Sequence, residues 1–311
     1  MRIKDRLDDL LTRQPYPPTA FQLAVPALTG LHAEKRDRGG SRSVVLSLRP
    51  GTLEPSFDRP NIRDPGHLAD RLADAFKKMG VRDGAVSLLV PESCLKSSVL
   101  SFDALPASPA ERRNLVLWRL RKQMPSLPED VRLAYDVLSA AAPWRVFVSA
   151  IHPSVRAEYE GLFARAGSPV RNIGLPTLSL AAVLPAGGPA TGILANLEED
   201  GLSLLALVDS EVVFYRSKPF LAESREARSP ARKMENIARE ILNTVTFLED
   251  KEKRKVERLW VRAALADGGE DPVEALKSLV PLSVSTIEPG GLPGTRTKEA
   301  RLLAPLVGQM P

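Results

Sequence analysis

Gly192–Arg216 reads GILANLEEDGLSLLALVDSEVVFYR, and its pattern decides the fold. Three apolar runs, Gly192–Asn196, Leu202–Val208 and Val212–Arg216, alternate with short polar turns, the pattern of three successive strands. Downstream, Ser229-Pro230 opens a helix to Leu248 with Met234, Ile237, Ala238, Ile241, Leu242, Val245 and Leu248 at helical spacing. Leu259–Ala263, Pro272–Leu279, Ser283–Ile287 and Thr297–Val307 then read as strand, helix, strand, helix. The same series occurs earlier in the chain. Ala20–Val25, Gly30–Arg36 and Ser43–Leu48 are predicted strands, and Pro65–Met79 is the long helix after them. Asp64 is its N-cap, Pro65 its first turn, Leu68, Leu72, Phe76 and Met79 its apolar stripe, and Gly80 its stop. A duplicated series of this kind predicts an α/β protein of two lobes facing a cleft.

The first half carries more than the second. Ala85–Val90 and Leu95–Phe102 read as strands, and Ser108-Pro-Ala-Glu111 is a capping box opening a helix to Gln123. Strands at Leu133–Ser139 and Arg145–Ile151 follow, then a helix bearing Val155, Tyr159, Leu162 and Phe163 that Gly167 closes. Most of this segment has no counterpart in the second half, so a subdomain at about 107–166 is expected to be inserted into the first lobe. The expected organisation is an N-terminal amphipathic helix and proline-rich linker at 1–18, a first lobe at 19–187, and a second lobe at 188–311. Pro185-Ala-Gly-Gly-Pro189 is the expected inter-lobe linker.

Composition narrows the function classes. The chain has 311 residues, too many for one ordinary core, which agrees with two lobes. A net charge of +5 is mild, and with aromatic residues at 5% there is no aromatic-plus-basic stripe, so nucleic acid is not an expected partner. Cys94 is the single cysteine, which excludes a disulfide framework and a thiolate zinc site. No stretch approaches the length of an apolar transmembrane helix, and Met1–Arg13 has no signal core, so a cytoplasmic location is expected. Ile3, Leu7, Leu10 and Leu11 give that N-terminal segment one apolar face.

No nucleophile elbow, P-loop or paired-acid signature is present, so no catalytic residue and no metal ligand is assigned. His32, His67 and His152 are far apart, and Cys94 reads as a small buried hydrophobe. Glu198-Glu199-Asp200 reads as a solvated acidic turn. The helix 109–123 is more informative. It sets Arg112, Arg113, Arg119, Arg121 and Lys122 beside four consecutive apolar residues, Leu115–Trp118, which is more than one buried stripe needs.

The order Arg49-Pro-Gly51, Asn61-Ile-Arg-Asp64, Leu68, Ala85–Pro91, Leu100, Leu105-Pro106, Trp118, Met124-Pro125, Leu133-Ala-Tyr-Asp-Val-Leu138 and Val146–Ala150 resembles the PilM family of the type IV pilus inner-membrane assembly complex. More distantly it resembles the cytoplasmic part of the type II secretion component GspL. The resemblance implies an actin-like, duplicated ribonuclease-H-like two-lobe fold. It also implies a non-catalytic scaffold, peripheral at the inner membrane. The partner it implies is a PilN-like inner-membrane protein, held through its cytoplasmic N-terminal peptide in a groove between the first lobe and the inserted subdomain. Pilus assembly ATPases are further implied partners. On this basis Leu115, Trp118, Arg119 and Lys122 are the expected partner-binding residues.

Nucleotide-binding members of that fold carry an aspartate-isoleucine-glycine loop in each lobe, where main-chain N–H groups meet phosphate. Here the expected aspartates fall on Ala24 and Asn196, and the expected glycines on Pro26 and Glu198. The paired glycines expected after the strand Leu259–Arg262 are replaced by Ala263-Ala264, and Gly268-Gly269 comes later. The expectation is therefore no cofactor. The alternatives are an ATP-binding protein or weak ATPase with a divergent phosphate loop, or a GspL-like component.

Overall fold

The computed structural model describes residues 16–34, 40–81, 84–184, 191–220, 230–265, 271–289 and 297–310. The first half begins with β1 (Thr19–Leu23), β2 (Ala27–Ala33), β3 (Ser41–Ser47), α1 (Pro65–Met79) and β4 (Val86–Leu89). There follow β5 (Leu95–Phe102), α2 (Pro109–Gln123), β6 (Arg132–Val137), β7 (Trp144–Ile151), α3 (Pro153–Arg165), β8 (Val170–Gly174) and α4 (Pro176–Ala181). The second half runs β9 (Gly192–Glu198), β10 (Gly201–Val208), β11 (Glu211–Pro219), α5 (Pro230–Glu252), β12 (Arg258–Ala264), α6 (Pro272–Leu279), β13 (Ser283–Thr286) and α7 (Thr297–Val307).

The duplication holds strand for strand. The first sheet has the order β3-β2-β1-β4-β8 and the second β11-β10-β9-β12-β13. In each, three antiparallel strands are extended on one side by two parallel ones. Local chemistry explains the frame. Asp64 accepts a bond from the His67 N–H at 3.0 Å to start α1, and Gly80 ends it at φ 60°, a conformation costly for any residue with a Cβ. Leu68, Leu72, Ala75 and Met79 of α1 pack on Phe21, Leu28 and Leu46 of the first sheet. Ile237, Ile241 and Leu248 of α5 do the same against Ile193, Leu197 and Leu204 of the second.

Two hairpins differ from the sequence reading. Strand β1 stops at Leu23, because Ala24 and Ala27 exchange main-chain bonds of 3.0 and 3.2 Å across Val25-Pro26. Strand β9 runs on through Glu198, so only Glu199 and Asp200 form the second turn, and Asn196 and Glu198 are buried strand residues. Helix α5 continues past Leu248 to Glu252.

The remaining sheet is small and antiparallel, in the order β5-β7-β6. On one face it carries α2, whose Val116 and Leu120 meet Leu100, Phe102, Leu133 and Val148. On the other, Phe147 joins a core that includes Leu180, Leu194, Leu205, Tyr215 and Trp260 and so cements both halves. Strand β5, upstream of 107, belongs to this sheet, while Val155, Tyr159, Leu162 and Phe163 of α3 lie in the first-lobe core. The small sheet with α2 therefore runs from Leu95 to Ile151. It is fastened to the second half by Arg145, which pairs with Glu211 at 3.2 Å and Glu252 at 2.8 Å.

Helix α7 returns from the second half to the first. Its Leu303 and Leu306 pack with Ala20, Leu31 and Leu89. Just beyond it, a Cβ on Gly308 would lie 2.0 Å from the Ser179 carbonyl oxygen, so only glycine permits this approach to α4. The expected N-terminal helix at Met1–Arg13, the Pro185–Pro189 linker and Gly268-Gly269 lie outside the described residues.

Candidate functional site

Two places bear on function: the cleft between the halves and a groove beside the small subdomain. The cleft floor is made by the ends of β9 and β12 and by the turn Glu92–Cys94 that follows β4. Arg262 of β12 is 1% exposed. Its guanidinium donates to Glu198 Oε1, to Asn196 Oδ1 at 2.9 Å, and to the main-chain oxygens of Arg301 at 2.9 Å and Leu302 at 3.4 Å. Glu198 Oε1 also accepts from Gln22 Nε2 of the first half at 2.7 Å. Asn196 Nδ2 donates to Thr177 Oγ1 at 3.1 Å. The second-lobe positions expected to approach phosphate, Asn196 and Glu198, thus belong to a buried, cross-lobe network of side chains.

Further acids complete this network. Glu92 accepts from the Thr177 N–H at 2.8 Å and from the Tyr215 hydroxyl, while Asp200 accepts from Ser93 Oγ at 3.0 Å. Burial pushes the Glu92 carboxyl up to about 7, against the pull of its bonds to Thr177 and Tyr215. Burial, reinforced by the charge of Glu198, lifts Asp200 to about 6. The expected solvated acidic turn is corrected here: Glu198 is buried and ion-paired, because its strand extends into the cleft. The opening bounded by Glu92, Asn196, Glu198 and Asp200 measures about 10 Å³, room for one water at most. Glu198 Oε2 is a buried acceptor there with no protein partner.

The groove lies between β6 and β8, the terminal strands of their sheets. It encloses about 320 Å³. Its apolar wall includes Leu95, Phe147, Ile151, Ile173 and Leu178, and Arg132, Asp136, Arg156, Glu160 and Arg171 ring it. Arg156 pairs with Glu160 at 2.7 Å. Asn172 Nδ2, on β8 in the lining, is a buried donor without a partner. Tyr16 also lines the groove, and burial raises its phenol above the ordinary range, helped by the charge of Asp136.

The structure places the sequence-predicted residues as follows. Leu115 is half-buried on α2, and Trp118, Arg119 and Lys122 are exposed, with Trp118 at 56%. None of the four lines the groove. Ala24 and Pro26 form the first hairpin turn, and Asn196 and Glu198 hold Arg262. The histidines are apart: His32 bonds Thr19 at 2.8 Å, His67 accepts from the Arg49 N–H at 3.2 Å, and His152 bonds Ser154 at 2.7 Å. Among the described residues no group of acids, histidines and cysteine has the arrangement of a metal site. Cys94 is buried, and that burial pushes its thiol up to about 12, which leaves it unreactive. Sequence reasoning missed Arg262. The available signal was a cation inside the apolar strand Leu259-Trp-Val-Arg-Ala-Ala264, which burial obliges to find an acid.

Several of the residues that carried the resemblance are structural. Arg49 pairs with Asp64 at 2.7 Å, and Glu158 accepts from the N–H groups of Asn61 and Ile62 at 2.8 and 2.9 Å. Among the described residues no helix is long and apolar enough to cross a membrane.

No protein-family profile matches the chain, and no curated protein does. Solved structures do. The chain superposes on a structure of the PilM-PilN type IV pilus biogenesis complex with a TM-score of 0.73 at 13% identity, covering 96% of this chain and 100% of that one. A Bacteroides thetaiotaomicron protein described as having an actin-like ATPase fold and unknown function gives 0.54 at 10% identity, covering 94% and 97%. The chain therefore has the actin-like ATPase fold, in the arrangement seen in PilM.

Proposed function

We propose that this chain is a non-catalytic scaffold of a type IV pilus assembly platform, one that takes the cytoplasmic N-terminal peptide of a PilN-like inner-membrane partner. The peptide site is the groove between β6 and β8. The observation that carries this reading is a cavity of about 320 Å³ bordered by two terminal strands. An extended peptide can pair its main chain with a free strand edge and set alternate side chains into the apolar wall. Arg132 and Arg171 favour an acidic flank on that peptide and speed its encounter. The likeness to the PilM-PilN complex structure supports the choice of partner.

The cleft supports the non-catalytic half of the reading. Arg262 and Glu198 stand where a phosphate would have to enter, and the opening beside them is too small for it. Calorimetric titration with the tail peptide of a single-span membrane protein encoded beside this chain tests the proposal. Ala134 is on the groove side of β6, so Ala134→Trp fills the groove and should weaken the peptide at least tenfold. Unchanged affinity in that variant would remove the peptide from the groove.

A further inference from the structure

Helix α2 presents its largest apolar side chain to solvent. Val116 and Leu120 are fully buried against the small sheet. Trp118 lies between them in sequence and about 200° from each around the axis, opposite the core. Its ring is 56% exposed, with Lys122 Nζ 5.4 Å from the centroid. Lys122 and Arg119 flank it on one side and Arg121 on the other.

The guanidinium bonds of this helix go to main-chain carbonyls. Arg112 donates to the Pro106 carbonyl, Arg113 to that of Leu133 at 2.9 Å and Arg121 to that of Glu129 at 2.9 Å. Together with Arg119 and Lys122 they have no carboxylate partner among the described residues, and Glu111 is the helix's only acid. In the second half, by contrast, Arg216 and Lys218 share Glu240, and Arg254 holds Asp209.

We infer that this face of α2 rests on an anionic phospholipid bilayer. Exposed large apolar surface here is confined to the one indole, too little for the core of a stable protein interface. An indole among unpaired cations is suited to the headgroup layer, where the ring enters and the basic side chains reach phosphate. The charge is spread on both sides of Trp118, which matches a charged plane better than a single acidic side chain.

Co-sedimentation of the full chain with phosphatidylcholine vesicles, with and without phosphatidylglycerol, tests this. The chain should bind only the anionic vesicles, with a blue shift in emission that Trp118→Phe removes. Replacing Arg119 and Lys122 by Gln should lower the partition coefficient about 30-fold, at about 1 kcal/mol for each charge. Both variants should keep the wild-type melting temperature, since the altered side chains are exposed. Equal binding to neutral vesicles, or wild-type binding by the double variant, overturns the inference. So does an acidic polypeptide whose binding depends on Arg119 and Lys122 while vesicle binding does not, which would make the face a protein interface.

Discussion

Replacing Arg262 by Met tests whether the cleft is held by its own side chains. The substitution keeps an unbranched apolar stem but removes the donors to Glu198, Asn196, Arg301 and Leu302. Glu198, 3% exposed, then keeps only the 2.7 Å bond from Gln22. Breaking one side of a buried ion pair costs about 3–5 kcal/mol, because the remaining charge is stranded. Glu198→Gln alone strands the guanidinium and should cost a similar amount. The double variant strands neither, so it should recover most of the loss and give a coupling of about 3 kcal/mol, within the range seen for contacting residues. The assay is urea unfolding, taking the first transition, since a two-lobed chain need not unfold in one step. Its tryptophan signal is well placed, as Trp260 lies two residues before Arg262 in the same strand. A single variant that costs less than about 1 kcal/mol, or a double variant whose cost is the sum of the two, would refute the reasoning.

Mg-ATP should leave the melting curve unmoved. A ligand at about 100-fold above its Kd would add about 2.7 kcal/mol, so a clear upward shift would show that the cleft admits nucleotide. Glu92→Gln should become more stable relative to wild type as pH rises from about 4.5 to about 7. The folded chain holds the Glu92 proton up to about 7 while the unfolded chain releases it near 4.5, so wild type loses stability across that window and the variant does not. Parallel pH profiles for the two would refute this. On α2, Trp118→Ala should change stability by less than about 0.5 kcal/mol, whereas Leu120→Ala should cost about 2–5 kcal/mol; equal losses in chemical denaturation would place the indole in the core.

What the sequence made legible was local order. Periodicity and caps give α1 and α2 their observed ends, because Asp64, Pro65, Gly80 and Ser108 act within a turn of themselves. The duplication was legible for the same reason, as each half repeats its own punctuation. Three features were not. Arg262 and Glu198 are 64 positions apart and meet only once β12 lies beside β9. The groove depends on which strands end their sheets, and β6 carries no mark of that in its composition. The direction of Trp118 was also hidden. Leu115–Trp118 is apolar throughout, and the small sheet took Val116 and Leu120, leaving the indole opposite.

Unsatisfied polar groups indicate where a partner is useful to this molecule. In the cleft most polar side chains are already paired across the lobes, from Gln22 to Glu198, Asn196 to Thr177 and Glu92 to Tyr215, with Gln22 Oε1 and Glu198 Oε2 left as unpaired buried acceptors. A ligand entering there would have to break buried, charge-assisted bonds before forming its own, and such bonds are worth about 1.5–3 kcal/mol each. The halves are also joined by a shared apolar core and by α7, so opening the cleft exposes Phe147, Leu180 and Trp260 as well. The groove is the reverse case. Among the described residues its two strands have no sheet neighbour on that side, and Asn172 keeps a buried donor with no acceptor. Under the proposed reading, a peptide laid there supplies hydrogen bonds to those strand edges. Under the proposed reading, the same fold sets a cleft filled by its own side chains against a strand edge where a peptide finds its binding energy.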